Sequence, residues 1–155
     1  MRILKRRIKL MAGMENEPAR ALSLCAFPGD RRSVMVIDRP GVYALVQDVS
    51  GVRGKSGIRI EADRVGLFLG CFALRGCAGS LDGVEVACRG ASLVVRGGAI
   101  EGWGRHGVDG RMALRCDVEG VRLDENQCGA VAQLADGIPE GDSAHGWLWW
   151  WKRAG

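Results

Sequence analysis

Between Pro40 and Asn126 apolar residues recur at every second position in short runs, a period that fits strands and not a helical face. The runs themselves recur. Gly57-Ile-Arg-Ile, Gly83-Val-Glu-Val, Gly107-Val-Asp-Gly and Gly129-Ala-Val-Ala open four units at intervals of 26, 24 and 22 residues. A second alternation follows in the first three units (Val65-x-Leu67-x-Leu69, Leu93-x-Val95, Cys116-x-Val118). A third comes after it (Phe72-x-Leu74, Gly98-x-Ile100, Val121-x-Leu123). Three short alternating segments per unit, divided by glycine-bearing turns, predict three strands per unit; glycines this frequent would be costly inside helices.

A unit of this size cannot bury the apolar side of three strands alone, so successive units must stack. The prediction is an all-β parallel solenoid of about three to four coils with an irregular N-terminal arm. Inward positions should form ladders: Ile58–Val84–Val108–Ala130, Ile60–Val86–Gly110–Ala132, Leu67–Leu93–Cys116, Leu69–Val95–Val118 and Leu74–Ile100–Leu123. The outward positions are mostly charged, with Arg59, Glu85 and Asp109 on one face and Arg75 facing Glu101 on another. The expected division is a basic, irregular arm over 1–33, coils over 34–132, and an irregular, Trp-rich tail or cap over 133–155.

Composition agrees with many tight turns: 24 glycines stand against 4 prolines. The net charge of +4 comes largely from Arg2, Lys5, Arg6, Arg7, Lys9 and Arg20 near the start. Such a run reads as a solvated tail, and no nucleic-acid partner is expected from it. Its apolar stretch is too short for a secretory signal, and no run approaches the length of a membrane span. A soluble chain, cytoplasmic by default, is the expectation. Six cysteines show no CxxC and no framework spacing, which predicts reduced, mostly buried thiols. His106 and His145 lie far apart with no cysteine pair beside either, so no zinc site or other cofactor is expected.

The run "PGVYALVQDVSGVRGKSGIRIEADRVGLFLGCFALRGCAGSLDGVEV" and the following "LVVRGGAIEGWGRHGVDG" resemble the opening coils of bacterial right-handed parallel β-helix repeat proteins of the pectate-lyase-like class. The resemblance covers about Pro40–Asn126 and is carried most specifically by GSLDG and GWG. It implies a right-handed parallel β-helix, on which polysaccharide lyases, hydrolases, adhesins and members without known activity are built. The chain departs from the family pattern where "DLNGF" becomes "FLGCF", with Gly70 for the asparagine, and where "RNGT" becomes Arg96-Gly97-Gly98-Ala99. Those asparagines would cap backbone amides at a corner, so their loss predicts weaker corners.

A lyase of this class would hold calcium on clustered carboxylates, and calcium asks for six to eight oxygens. Under that reading alone is calcium expected. Glu85 and Asp109 share an outward ladder, while Asp82 and His106 share the position just before a unit glycine. These four are the best acid/base candidates. The plainer reading makes them turn residues on a solvated strand face, with GSLDG a tight turn. RGGAIEGWG lacks a P-loop lysine, which excludes a nucleotide reading. In the tail, Trp147, Trp149, Trp150 and Trp151 could plug the last coil, or contact a second copy, another protein or a sugar. The leading expectation is a short β-helix scaffold or interaction module without catalysis of its own. The alternatives are a carbohydrate-active lyase or hydrolase, and a carbohydrate-binding module.

Overall fold

The computed structural model describes residues 18–132, so the expectations placed on the basic start and on Trp147, Trp149, Trp150 and Trp151 lie outside the described residues. Among the described residues run twelve strands: β1 (Arg20–Leu22), β2 (Ser33–Ile37), β3 (Gly41–Leu45), β4 (Val49–Ser50), β5 (Ser56–Ile60), β6 (Val65–Arg75), β7 (Val84–Val86), β8 (Ser92–Glu101), β9 (His106–Gly110), β10 (Arg115–Glu119), β11 (Arg122–Asp124) and β12 (Cys128–Ala132). Every pairing between them is parallel. One sheet orders β1-β3-β6-β8-β10, with β4 beside β6 and β11 beside β8; the other orders β12-β9-β7-β5-β2. This is a β-solenoid of about five turns, against the three to four expected. The shortfall arose at the start. Arg20–Leu22 pairs with Tyr43–Leu45, so a strand of the stack lies inside the stretch expected to be an irregular arm, and β2 begins at Ser33.

The three segments per unit are present, but in the third and fourth coils the second and third fuse into the bent strands β6 and β8. The bend falls at Gly70 in β6 and at Gly97 in β8, which pair with each other across a register shift. Both have φ in the left-handed region, +63° and +71°, where glycine carries no steric penalty. Asparagine is the next residue to tolerate that conformation. Glycine therefore makes the backbone turn at both positions without a side-chain cap. At another corner the cap survives: Asn126 Oδ1 accepts from the Trp103 amide at 3.0 Å, and its Nδ2 donates to the Ile100 carbonyl at 2.8 Å.

The ladders Ile58–Val84–Val108–Ala130 and Leu74–Ile100–Leu123 are as expected. Two others are corrected. Leu93 and Cys116 align with Val65 rather than Leu67, and Val95 and Val118 align with Leu67 rather than Leu69. The turn between β7 and β8 is longer than the turn between β5 and β6, and register shifts at Phe68/Gly70 and Gly70/Ala73 take the extra residues back before Leu74 meets Ile100. A slip of two preserves the inward face, so Leu67, Leu69, Leu93 and Val95 are all buried regardless.

The unit glycines have a direct cause. A Cβ on Gly57 would lie 2.5 Å from the Gly83 carbonyl oxygen, and one on Gly83 would lie 2.5 Å from that of Gly107. At each of these two glycines the next coil lies too close for a side chain. The same two positions leave room for Trp103 of the GWG motif, which is 1% exposed. Its indole Nε1 donates to the Leu74 carbonyl at 3.1 Å, so the one polar atom of this core residue is satisfied.

The cysteines are free thiols, but the expectation that most are buried is corrected. Only Cys116 is buried; Cys88 and Cys128 are half-buried, and Cys25, Cys71 and Cys77 are exposed. Cys71 sits at the bulge after Gly70 and Cys77 just past the end of β6, where side chains turn outward. Burial pushes the Cys116 thiol up to about 12, which removes it from thiolate chemistry. Among the described residues no helix is long and apolar enough to cross a membrane.

Candidate functional site

Outward charge on the stack is organised as ion pairs between coils. Arg75 Nη1 meets Asp48 at 2.7 Å and its Nε meets Glu101 at 2.9 Å, while Arg122 adds a fourth member to that group at 3.0 Å from Glu101. Arg96 lies 3.3 Å from Glu119. The Arg75 guanidinium holds the Asp48 carboxyl below the usual range, but both side chains are about half exposed and water screens the pair.

A second constellation lies on the other sheet, at the corner before the unit glycines. Asp82 closes the GSLDG segment and is 1% exposed. Its Oδ1 accepts from the His106 main-chain amide at 3.1 Å and lies 2.7 Å from His106 Nδ1. Because an ionised carboxylate only accepts, Nδ1 is the ring nitrogen that donates to Asp82, and Nε2 is the one left over. Nε2 makes no hydrogen bond to any described residue. Asp109, 7% exposed, lies with its Oδ2 3.9 Å from His106 Nδ1 and is held by Arg111, whose Nε and Nη2 donate to its two oxygens at 2.9 and 2.7 Å. Burial pushes the Asp109 carboxyl up, but the Arg111 hydrogen bonds and charge outweigh it and bring it below the ordinary aspartate range.

Of the four acid/base candidates, the fold thus brings Asp82, His106 and Asp109 together, with donor atoms all within 4.8 Å of one another. Glu85 stands next to Asp109 on the outward ladder and accepts from the Ser56 hydroxyl at 3.0 Å instead. The reading of these residues as a solvated face is corrected for Asp82 and Asp109, which are buried. GSLDG is a turn, and it also serves as a clamp on the following coil: Ser80 Oγ accepts from the Gly104 amide at 3.3 Å as Asp82 accepts from His106.

Calcium does not fit this cluster. It offers one nitrogen and two carboxylates where calcium asks for six to eight oxygens, and Arg111 already occupies both oxygens of Asp109. Arg105, with its Nε 3.8 Å from Asp82 Oδ1, adds a second positive charge that opposes a cation. What the arrangement supplies is an imidazole oriented by a buried carboxylate, the geometry of a general base.

One member of this corner was missed from sequence. The position before each unit glycine reads Ser56, Asp82, His106 and Cys128, and Cys128 is the Cα partner of His106 between β12 and β9. The shared position of Asp82 and His106 is legible in the sequence, and following it one unit further would have reached Cys128. No family model, no curated protein and no solved structure matches the chain, so the fold and the chemistry of this corner carry the functional argument.

Proposed function

We propose that the chain is a short β-solenoid scaffold or interaction module rather than a polysaccharide-cleaving enzyme. The observation that supports this reading is the pairing of carboxylates with the chain's own guanidinium groups: Asp48 and Glu101 with Arg75 and Arg122, Glu119 with Arg96, and Asp109 with Arg111. Carboxylates engaged in this way stiffen the stack and are not free to collect calcium or to flank a glycosidic bond. The five or so turns of the described residues, at ~4.8 Å per coil, also span only about 20–25 Å, short for an oligosaccharide groove. The partner would be a second copy or another protein meeting the stack.

The enzymatic alternative suggested by the family resemblance is favoured by one observation, the imidazole of His106 held by buried Asp82. Incubation with polygalacturonate and with neutral pectic polymers, with and without calcium, separates the two readings. The scaffold reading expects no new reducing ends and no unsaturated product. Depolymerisation abolished by His106→Gln would replace it with the enzymatic one.

A further inference from the structure

We infer that Cys128 is an activated thiol that accepts an acyl group from an activated ester or thioester, with His106 as its base and Asp82 as the positioning residue. This goes beyond the scaffold reading and needs no polysaccharide chemistry.

The inference rests on register. In a parallel stack, side chains at equal positions of successive coils point the same way and lie ~4.8 Å apart. Asp82, His106 and Cys128 hold the same position in three successive coils, each immediately before a unit glycine. The carboxylate is buried, the imidazole beside it is half-buried, and the thiol beyond that is half-buried and free. Nδ1 of His106 is engaged by Asp82 at 2.7 Å, so the ring's remaining nitrogen is the one available to the thiol's coil. No hydrogen bond joins thiol and ring in this structure; nucleophile–base contacts of this kind are often looser without substrate. The order carboxylate, imidazole, thiol is that of an activated nucleophile, and here it is built by stacking alone.

The chemistry balances without an oxidant. His106 Nε2 takes the Sγ–H proton, and the thiolate attacks the donor's carbonyl carbon. The new C–S bond forms as the donor's bond to its leaving oxygen or sulfur breaks, and the imidazolium returns the proton to the leaving group. Arg105, about half exposed at 3.8 Å from Asp82, places positive charge at the mouth of the corner and favours donors whose acyl chain carries a carboxylate.

The chain carries its own reference thiols. Cys71 and Cys77 are more exposed than Cys128 and would react first if access alone decided. The full chain is treated with p-nitrophenyl acetate, and acetylation at each cysteine is followed by peptide mass spectrometry. The inference expects Cys128 to acetylate about tenfold or more faster than Cys71, the modest end of what a general base provides. His106→Gln and Asp82→Asn should each bring the Cys128 rate down to the reference rate while leaving Cys71 unchanged. Unfolding would also bring the Cys128 rate down to that of a free thiol, but it would open the buried Cys116 to acetylation, so a Cys116 that stays unreacted in Asp82→Asn marks a positioning effect and not a structural one. Acetylation of Cys128 no faster than Cys71, or a Cys128 rate that His106→Gln leaves unaltered, overturns the inference. A 4-nitrophenyl hemisuccinate compared with the acetate tests the anionic preference: the inference expects the succinyl donor to be faster at Cys128 alone, and equal ratios at all three thiols remove Arg105 from the argument.

Discussion

Two ladders run side by side along one sheet, two residues apart in each coil. Ile58, Val84 and Val108 are 0% exposed, and so is Ser56, while Asp82 is 1% exposed and His106 half-buried. The apolar ladder repeats its chemistry from coil to coil because dispersion and burial ask only for volume and shape. The polar ladder changes its residue at almost every coil. Each buried polar group must find a specific partner, and at this corner the partner is the residue one coil away: Asp82 for the His106 amide and ring, and Ser56 for the Asp82 amide at 3.4 Å. Equal burial therefore rests on different physics. One ladder tolerates any residue of the right size, and the other tolerates only a matched neighbour.

The largest effect should come from putting a charge into the tolerant ladder. Val84→Asp leaves a carboxylate between Ile58 and Val108 with no donor, and should destabilise by about 3–5 kcal/mol in urea melts. A loss of only a few tenths would mean that the inward face is not sealed. The reciprocal change, Asp82→Val, fills the polar corner with an apolar residue of similar size. It strands the His106 amide and should cost about 1–3 kcal/mol. If Asp82→Val proved stabilising, the corner would be another apolar layer and the contrast between the ladders would collapse.

Glu85→Lys tests the outward row. From the alternation alone it should be nearly silent, but the Ser56 hydroxyl loses its acceptor and the new ammonium meets Arg59, so about 0.5–1.5 kcal/mol is expected. The smallest effect belongs to the Asp109–Arg111 pair. Its native carboxyl titrates below the ordinary aspartate value, so its stabilisation is present above about pH 4 and fades as pH falls through the lowered native value. The stability difference between the wild type and Asp109→Asn should thus be under about 1 kcal/mol at neutral pH, since the guanidinium is half in water, and should vanish toward pH 2. A difference that grew on acidification would reverse the sign of this linkage.

Alternation and the returning glycine were enough to read the class of fold, its inward residues and the Arg75–Glu101 pair, because each depends on local periodicity and on a shape that cannot be sealed without stacking. The register of Leu67 against Val95 was not legible. It depends on how many residues two turns hold and on where a bulge returns the difference, and a two-residue slip leaves the pattern of buried positions unchanged. Exposure of Cys71 and Cys77 was illegible for the same reason, since cysteine's apolar character says nothing about whether it falls on a strand or a bend.

At the corner, sequence was sufficient to name Asp82, Glu85, His106 and Asp109 as a group, from their places relative to the unit glycines. Only the tertiary structure divided them. Asp82 and Asp109 are buried while Glu85 turns to Ser56, and Arg111, two residues along the same strand turn, folds back to hold both Asp109 oxygens. Hydrogen bonds are won or lost over tenths of an ångström, whereas period-2 patterning is insensitive to such distances. The sequence by itself determined that the chain coils and which side chains face inward. Which polar group meets which was decided by coil-to-coil geometry, because partners more than twenty residues apart in sequence become neighbours only when the coils stack.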